Sequence, residues 1–448
     1  MPMTKNSYRP RLVDCQVCDM LKAVGAVCIE GPKWCGKTWV AFNHAESAIM
    51  IGDPSGNFQN RKLVELDLSR AFKGKEPHLI DEWQDVPGIW DAVKSTVDES
   101  NAPGRFILTG SSTPRPGTTR HSGAGRIGRI RMRTMSLFES GDSDGSVSLR
   151  SLFAQTEPST DLCKVDLEHL VDLVVRGGWP GNLGKDLKSA ALANRAYLMA
   201  LIEEASILDS HSHDKNKIKM VLRSLARNES TMASLNTLVS DAEECINSEG
   251  RPIGSKNGKE TFEMMIDSYE TVSQKSVSKY LAILDRLFLI NNQPSFEINL
   301  RSSARVGKKP KRHLADPSLA VAAMNFTSAQ LLNDLRTFGF LFEALCERDL
   351  EIYAAAMYGT LYHYRDGRGR EIDAVVELPD GRWGAFEIKL GVNQIDEAAQ
   401  HLVQMDELFG QEGVRRPEFL CVICGMAAAA YQRPEDGVYV VPLTRMRD

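Results

Sequence analysis

The sequence predicts an α/β protein in three parts: an N-terminal unit on a parallel sheet, a helical middle segment and a second α/β unit at the C-terminus. Three observations predict it. Short apolar strands punctuate the first third, at Ala26-Val27-Cys28-Ile29, His78-Leu79-Ile80-Asp81 and Phe106-Ile107-Leu108-Thr109-Gly110. Apolar residues recur at helical spacing through the middle. Hairpin-type turns, Asp366-Gly367-Arg368-Gly369 and Asp380-Gly381-Arg382, separate strands in the last third. At 448 residues with 42% apolar content, the chain is long enough for two to four domains. The expected units are 1–145, 165–312 and 313–448, with the Gly-, Ser- and acid-rich stretch Ser140 to Ser159 as a linker.

Composition excludes several classes. A net charge of -5 argues against a chain coated in positive charge. The nine cysteines are odd in number, scattered and mostly among apolar neighbours, which suits reduced thiols in a cytoplasm. Met1 to Cys15 has no apolar signal core, and the longest apolar stretch, Phe419 to Tyr431, has 13 residues where a membrane span needs about 20. Two C-x-x-C pairs invite a zinc site. Cys421 and Cys424 fall on a strand, where residues three apart face opposite sides. Cys15 and Cys18 share a helix face, but no histidine or further cysteine is near in sequence, so core packing is the expectation for both pairs.

The strand at Ala26–Ile29 runs into Gly31-Pro32-Lys33-Trp34-Cys35-Gly36-Lys37-Thr38, which completes the pattern G-x-x-x-x-G-K-S/T. Glycines at both ends let successive backbone N–H groups curl around a polyphosphate while the following helix points its positive end at it. Lys37 reaches the terminal phosphates and Thr38 ligates Mg2+. No N-K-x-D guanine-reading motif accompanies the loop, so ATP is the expected ligand. About forty residues on, His78-Leu79-Ile80 ends in Asp81 and Glu82, the first expected to hold the metal's water shell and the second to polarise the attacking water. Two acids opening a helix are the plainer alternative. Ser111, at the end of the next strand, is placed to sense the γ-phosphate, or to cap a helix. In Gly125 to Arg133, Arg129, Arg131 and Arg133 alternate with Ile130 and Met132, giving one basic and one apolar face. Such a strand is either a solvated edge or the source of an arginine finger, Arg126 or Arg129, supplied to a neighbouring subunit of a homo-oligomer.

These residues resemble the prokaryotic AAA-type P-loop ATPases that carry a C-terminal domain of unassigned function. The likeness is carried by Tyr8-Arg9-Pro10-Arg11, Gly31 to Thr38, Leu79-Ile80-Asp81-Glu82-Trp83-Gln84, Ile107 to Ser112 and Met135-Ser136-Leu137-Phe138-Glu139. It covers nearly the whole chain. It departs at His78, where arginine is usual, and at Asn247 to Glu260, which looks like an inserted mobile loop.

Leu187 to Leu208 and Thr231 to Ala242 are expected helices. Ser273 to Leu281 opens another, with the strand-like Leu289 to Phe296 behind it, an order that suits a winged helix. Gln274, Lys275 and Lys279 would then face nucleic acid, DNA before RNA; a winged helix used only for packing is the alternative. Arg301 to Arg312 holds Arg301, Arg305, Lys308, Lys309, Lys311 and Arg312 and no acid, either a phosphate-attracting cluster or a solvated loop. The last third resembles the PD-(D/E)xK nuclease core: Glu343 on a helix, Asp373 on one strand, and Glu387-Ile388-Lys389 on the next. The chemistry asks for Glu343, Asp373 and Glu387 to hold a divalent metal and Lys389 to activate water or steady charge. Glu387 and Lys389 share a strand face. The resemblance implies the restriction-endonuclease-like fold and leaves cleavage open.

Overall fold

The computed structural model describes residues 8–448 apart from 101, 115–116, 163, 208–212, 250–272 and 299–308, and the side chains of 243–249. The first third forms a five-stranded, all-parallel sheet in the order β2-β3-β4-β1-β5, with β1 Ala26–Glu30, β2 Ser47–Met50, β3 His78–Asp81, β4 Phe106–Gly110 and β5 Ile127–Arg131. The strands are near-continuous apolar runs because helices cover both faces. Alternate residues serve two cores: Ala26, Cys28, Ile80 and Leu108 pack on one side, Val27, Ile29, Leu79 and Ile107 on the other. β5 keeps the expected two faces, with Ile130 and Met132 buried and Arg129 and Arg131 outward.

The stretch expected as a linker is structured in its first half. The helix Leu137–Ser140, the strand β6 Val147–Ser148 and the helix Leu149–Phe153 follow one another, and Val147, Leu149 and Leu152 are buried. β6 pairs in parallel with β13 Met446–Arg447, near the chain's last residue. Gly and Ser here serve turns and caps rather than a free tether: Ser136 closes a capping box with Glu139, and Ser148 caps the next helix.

The middle third is helical, as expected. Helices span Leu167–Arg176, Leu187–Ile207, Lys215–Arg227, Leu235–Glu249 and Gln274–Arg286. The second of these matches the expected Leu187 to Leu208. Leu289 to Phe296 forms no strand; Ile290, Gln293 and Ser295 make single bridges to Leu314, Lys311 and His363. Asn247 to Glu249 close a helix, and the rest of the expected insertion lies outside the described residues.

The last third builds a six-stranded sheet, β11-β12-β10-β9-β8-β7. β7 Thr360–Arg365, β8 Glu371–Glu377 and β9 Trp383–Lys389 are antiparallel neighbours. β10 Phe419–Cys424 joins β9 in parallel after the helix Ile395–Gln411, and β12 Tyr439–Val441 lies between β10 and β11 Tyr431–Gln432. Cys421 and Cys424 are buried on β10 as expected, whereas Cys15 and Cys18 are exposed on the helix Val13–Ala23 and do not pack in the core. Among the described residues, no helix is long and apolar enough to cross a membrane.

One buried ionic node joins the thirds. Arg348, on the long helix Leu335–Ala356, donates from Nη1 to Asp316 Oδ2 at 3.0 Å and from Nη2 to Asp349 Oδ1 at 2.7 Å. Asp316 also accepts from Thr134 Oγ1 (2.8 Å), Gly178 N–H (3.0 Å) and Ser318, while Asp349 accepts from Leu137 N–H (2.9 Å). Burial pushes the Asp316 carboxyl up, but Arg348 and these donors outweigh it and hold it below the usual range. Removing the cation strands two acids in a dry site. Arg348→Ala is therefore expected to cost about 3–5 kcal/mol, whereas Lys33→Ala, at a partly exposed pair with Glu204, costs at most about 1 kcal/mol. Urea unfolding of the two variants checks this, and equal midpoint shifts would contradict it.

Candidate nucleotide site and acidic cleft

The loop Gly31–Thr38 leaves the C-terminal end of β1 and enters the helix Lys37–His44. Two glycines are needed for steric reasons. A Cβ on Gly31 would sit 2.2 Å from the Met132 carbonyl oxygen, and Gly36 has φ +102°. Lys37 Nζ donates across the loop to Pro32 O at 2.8 Å. The acid-bearing end of β3 lies beside this cradle, with Thr38 near enough to the Asp81 carboxyl to favour its charged form. Asp81 also accepts from Thr109 Oγ1 at 2.6 Å. Burial pushes the Asp81 carboxyl up, opposed by the Thr109 and Thr38 hydroxyls. Glu82 follows in a left-handed backbone conformation, φ 56°, uncommon for a residue with a side chain. Its Oε2 accepts from Ser111 Oγ at 2.7 Å and from Gln84 Nε2, so Ser111 meets the glutamate directly. A phosphate cradle, a hydroxyl-acid pair and a positioned second acid are the donor set that Mg2+ and a nucleoside triphosphate require.

Several contacts around the site carried no local signal. Arg11 is buried and links three segments: Nη1 donates to Cys35 O (2.9 Å), Nε to Glu139 Oε1 (2.9 Å) and Nη2 to Arg133 O and Thr134 O (3.1 Å each). The Tyr8–Arg11 and Met135–Glu139 motifs thus meet behind the phosphate loop. A cavity of about 280 Å3 opens there, lined by Tyr8, Arg9, Gly36, Trp39, Pro180 and Leu183. The middle segment grips the loop's tip: Tyr197 OH donates to Lys33 O at 2.9 Å, Lys33 Nζ lies 2.8 Å from Glu204, and the Trp34 ring packs 6.0 Å from Trp179 and 5.6 Å from Tyr197.

Arg126 lies elsewhere. Its carbonyl accepts from Ala26 N–H, at the N-terminal end of β1, and its guanidinium meets Asp98 at 2.5 Å on the surface. That is the end of the sheet opposite the phosphate loop, so Arg126 does not serve the nucleotide of its own chain. Arg129 lies 4.4 Å over the Trp90 ring and pairs with Glu30.

Glu343, Asp373 and Glu387, the acids expected to hold a metal, lie around a common cleft together with two lysines. The acids converge as predicted, but lysines stand between them. Lys311 Nζ donates to Glu343 Oε1 (2.5 Å), Glu347 Oε1 (2.6 Å) and the Asp373 carbonyl (3.1 Å). Lys389 Nζ bridges Glu387 Oε2 (2.6 Å) and Asp373 Oδ2 (3.1 Å), and His401 Nδ1 lies 3.1 Å from Glu387 Oε1. Among the described residues, no group of three or more potential metal ligands is arranged to hold an ion. Lys311 was expected in an exposed basic cluster; it is buried, and 301–308 of that cluster lie outside the described residues. A cleft of about 230 Å3, lined by Phe340, Tyr364 and Arg365 among others, opens over Lys311, Glu343 and Asp373.

Residues 24–140 match the family model of the AAA domain; 167–330 and 338–446 match two models described as domains of unknown function, DUF8612 and DUF4143. Residues 24–140 are thus similar to an AAA domain. No curated protein matches the chain. Among solved structures it is similar to the Walker-type ATPase PABY2304 of Pyrococcus abyssi (12% identity, 72% of this chain and 97% of that one, TM-score 0.43). It is also similar to the replication initiator DnaA bound to AMPPCP and single-stranded DNA (13%, 64% and 97%, TM-score 0.28) and to the Thermotoga maritima RuvB Holliday junction branch migration motor (13%, 65% and 93%, TM-score 0.27). At these scores the likenesses say nothing of substrate or partner.

In the acidic cleft, burial pushes the Glu343 carboxyl up to about 8 and Glu347 to about 7, with Lys311 pulling both back. Burial also opposes the Lys311 charge, yet Glu343, Glu347 and Asp373 hold it above the usual range. One ammonium among three acidic residues stays charged, but it does not keep both glutamates so. An acid whose folded pKa exceeds its unfolded value binds more protons folded than unfolded, so stability falls as pH rises from 4.5 towards about 8. Thermal melts across that window should show this slope, and Glu343→Gln should flatten it. An unchanged slope in Glu343→Gln would contradict the assignment.

Proposed function

We propose that the chain is an Mg2+-dependent ATPase whose nucleotide state sets the arrangement of a winged-helix segment and a C-terminal nuclease-like domain that acts on or holds nucleic acid, DNA before RNA. The carrying observation is that the phosphate cradle leaving β1 and Asp81 ending β3 lie together at the C-terminal edge of one parallel sheet, with Thr38 near enough to the Asp81 carboxyl to favour its charged form. In this reading the amides of residues 33–38 and Lys37 bind the phosphates, and the cavity beside Gly36 takes the base. Thr38 and Asp81 hold Mg2+, whose role is to neutralise phosphate charge. Glu82 accepts the proton of the attacking water, with its carboxylate oriented by Ser111. Arg126 reaches the nucleotide of a neighbouring subunit.

The division into 1–145, 165–312 and 313–448 belongs to the same proposal. A winged helix is supported by the helices Lys215–Arg227, Leu235–Glu249 and Gln274–Arg286 and by antiparallel bridges at Ile290–Leu314, Gln293–Lys311 and Thr231–Arg312. Gln274, Lys275 and Lys279 are exposed at the start of the third helix. The nuclease-like reading is supported by the order helix, three antiparallel strands, helix, parallel strand, with Asp373 and Glu387-Ile388-Lys389 on adjacent strands.

ATP turnover measured with and without DNA tests the proposal. Lys37→Ala should lower turnover by about 100-fold or more. Glu82→Gln should keep ATP binding and lose turnover by a factor on the order of 10²–10⁴. Retained turnover in Lys37→Ala would refute the ATPase reading, and no response to any nucleic acid would refute the partner. For Arg126, mixing inactive Arg126→Ala with inactive Lys37→Ala subunits should restore part of the turnover, since mixed assemblies pair an intact phosphate site with an intact finger. Additive inactivity of the mixture would remove Arg126 from the chemistry.

A further inference from the structure

The acids of the C-terminal cleft face one another as a PD-(D/E)xK cation site would require, and the cation present is a side chain. Lys311 is no stray surface lysine. Its backbone N–H and C=O both pair with Gln293, at 3.0 Å each, and the N–H of the next residue, Arg312, donates to Thr231 O at 2.7 Å. This pins the chain on both sides, so the side chain enters the cleft from a fixed point.

An ammonium has three N–H donors and no acceptor. Here it meets three oxygens: Glu343 Oε1, Glu347 Oε1 and the Asp373 carbonyl, at 2.5, 2.6 and 3.1 Å. Only 7% of its side chain is exposed. On the adjacent strands Lys389 lies between Asp373 Oδ2 and Glu387 Oε2, and Asp373 Oδ2 also accepts the Ile388 N–H at 2.9 Å. Glu347 is held further by Ser230 Oγ at 2.5 Å and by His313. A divalent ion takes its carboxylate oxygens at about 2.0–2.6 Å. Those oxygens already face ammonium groups, which would have to leave or lose their protons first.

We propose that Lys311 is a tethered replacement for the divalent cation of this site, so that the C-terminal domain keeps its acidic centre together without metal and does not perform metal-dependent phosphodiester hydrolysis. The proposal rests on the nuclease-like reading of the domain, and of the two roles offered above it selects holding nucleic acid over cutting it. The lysine comes from the middle segment, not from the C-terminal sheet. The centre is therefore complete only when the two are packed together.

The test is a Mn2+ titration of the full chain without nucleotide, followed by calorimetry and by melting temperature. Wild type is expected to give no saturable binding and no shift. Lys311→Ala is expected to melt lower and to regain melting temperature with Mn2+, and Lys311→Ala/Glu343→Gln to lose that rescue. Saturable Mn2+ binding by wild type that Asp373→Asn abolishes would overturn the proposal, and so would Mn2+-dependent DNA cleavage lost in Asp373→Asn. If wild type and Lys311→Ala are both silent to Mn2+, the acids never formed a cation site and the nuclease-like reading itself fails. Should Lys311→Ala not fold, the wild-type titration and the cleavage assay decide alone.

Discussion

Much of this structure depends on keeping one arginine charged in the dark. Arg348 lies between Asp316 and Asp349, and the two acids in turn hold Thr134, Leu137, Gly178 and Ser318. Those positions belong to three separate stretches of chain, 134–137, 178 and 318, so the spacing of the helix Leu335–Ala356 from the ATPase domain is set by charge-assisted bonds, which are shorter and more directional than apolar packing. The node lies one residue from the nucleotide apparatus. Gly178 donates to Asp316, and the next residue, Trp179, packs against Trp34 at the tip of the phosphate loop while its Nε1 donates to Ser318 Oγ at 2.9 Å. A displacement of the loop tip therefore meets tightly packed neighbours all the way to the C-terminal helix.

The phosphate site was legible because its rules are local. Eight consecutive residues define the cradle, and a short apolar strand ending in two acids defines its metal side; their meeting follows from the parallel sheet that both strands join. Glu139 shows where legibility stops. Its neighbours reveal a capping box with Ser136, which is a three-residue relation. Its second role, holding Arg11 behind the loop, spans 128 positions and leaves no mark in either local sequence. The grip of Tyr197, Trp179 and Glu204 on the loop's tip is hidden for the same reason.

Composition misled where it was the sole guide. Ser140 to Ser159 has linker chemistry, yet Val147, Leu149 and Leu152 recur within it and pack into the large shared core. Alternation of a few apolar residues in a polar stretch is a weak signal, and what decides the matter is the edge at Met446–Arg447, supplied by the far end of the chain. Lys311 is the same lesson in charge. A lysine in a run of basic residues reads as solvated, and only tertiary structure reveals that Glu343 and Glu347, one helical turn apart on another segment, turn it inward.

Why a lysine there and an arginine at 348 follows from shape. A guanidinium offers a planar fork, suited to meeting Asp316 with Nη1 and Asp349 with Nε and Nη2. An ammonium is a compact point of charge with three donors around one atom, which is the side-chain cation nearest in form to a bare ion. The oxygens of Glu343, Glu347 and Asp373 converge on one centre rather than lining up as two opposed acids. Arginine in that place would put its charge beyond the centre and leave at least one acceptor unmet, at the cost of a buried unsatisfied polar group. The two cations are thus not interchangeable. Each matches the oxygens it neutralises: two separate carboxylates for Arg348, a converging triplet for Lys311.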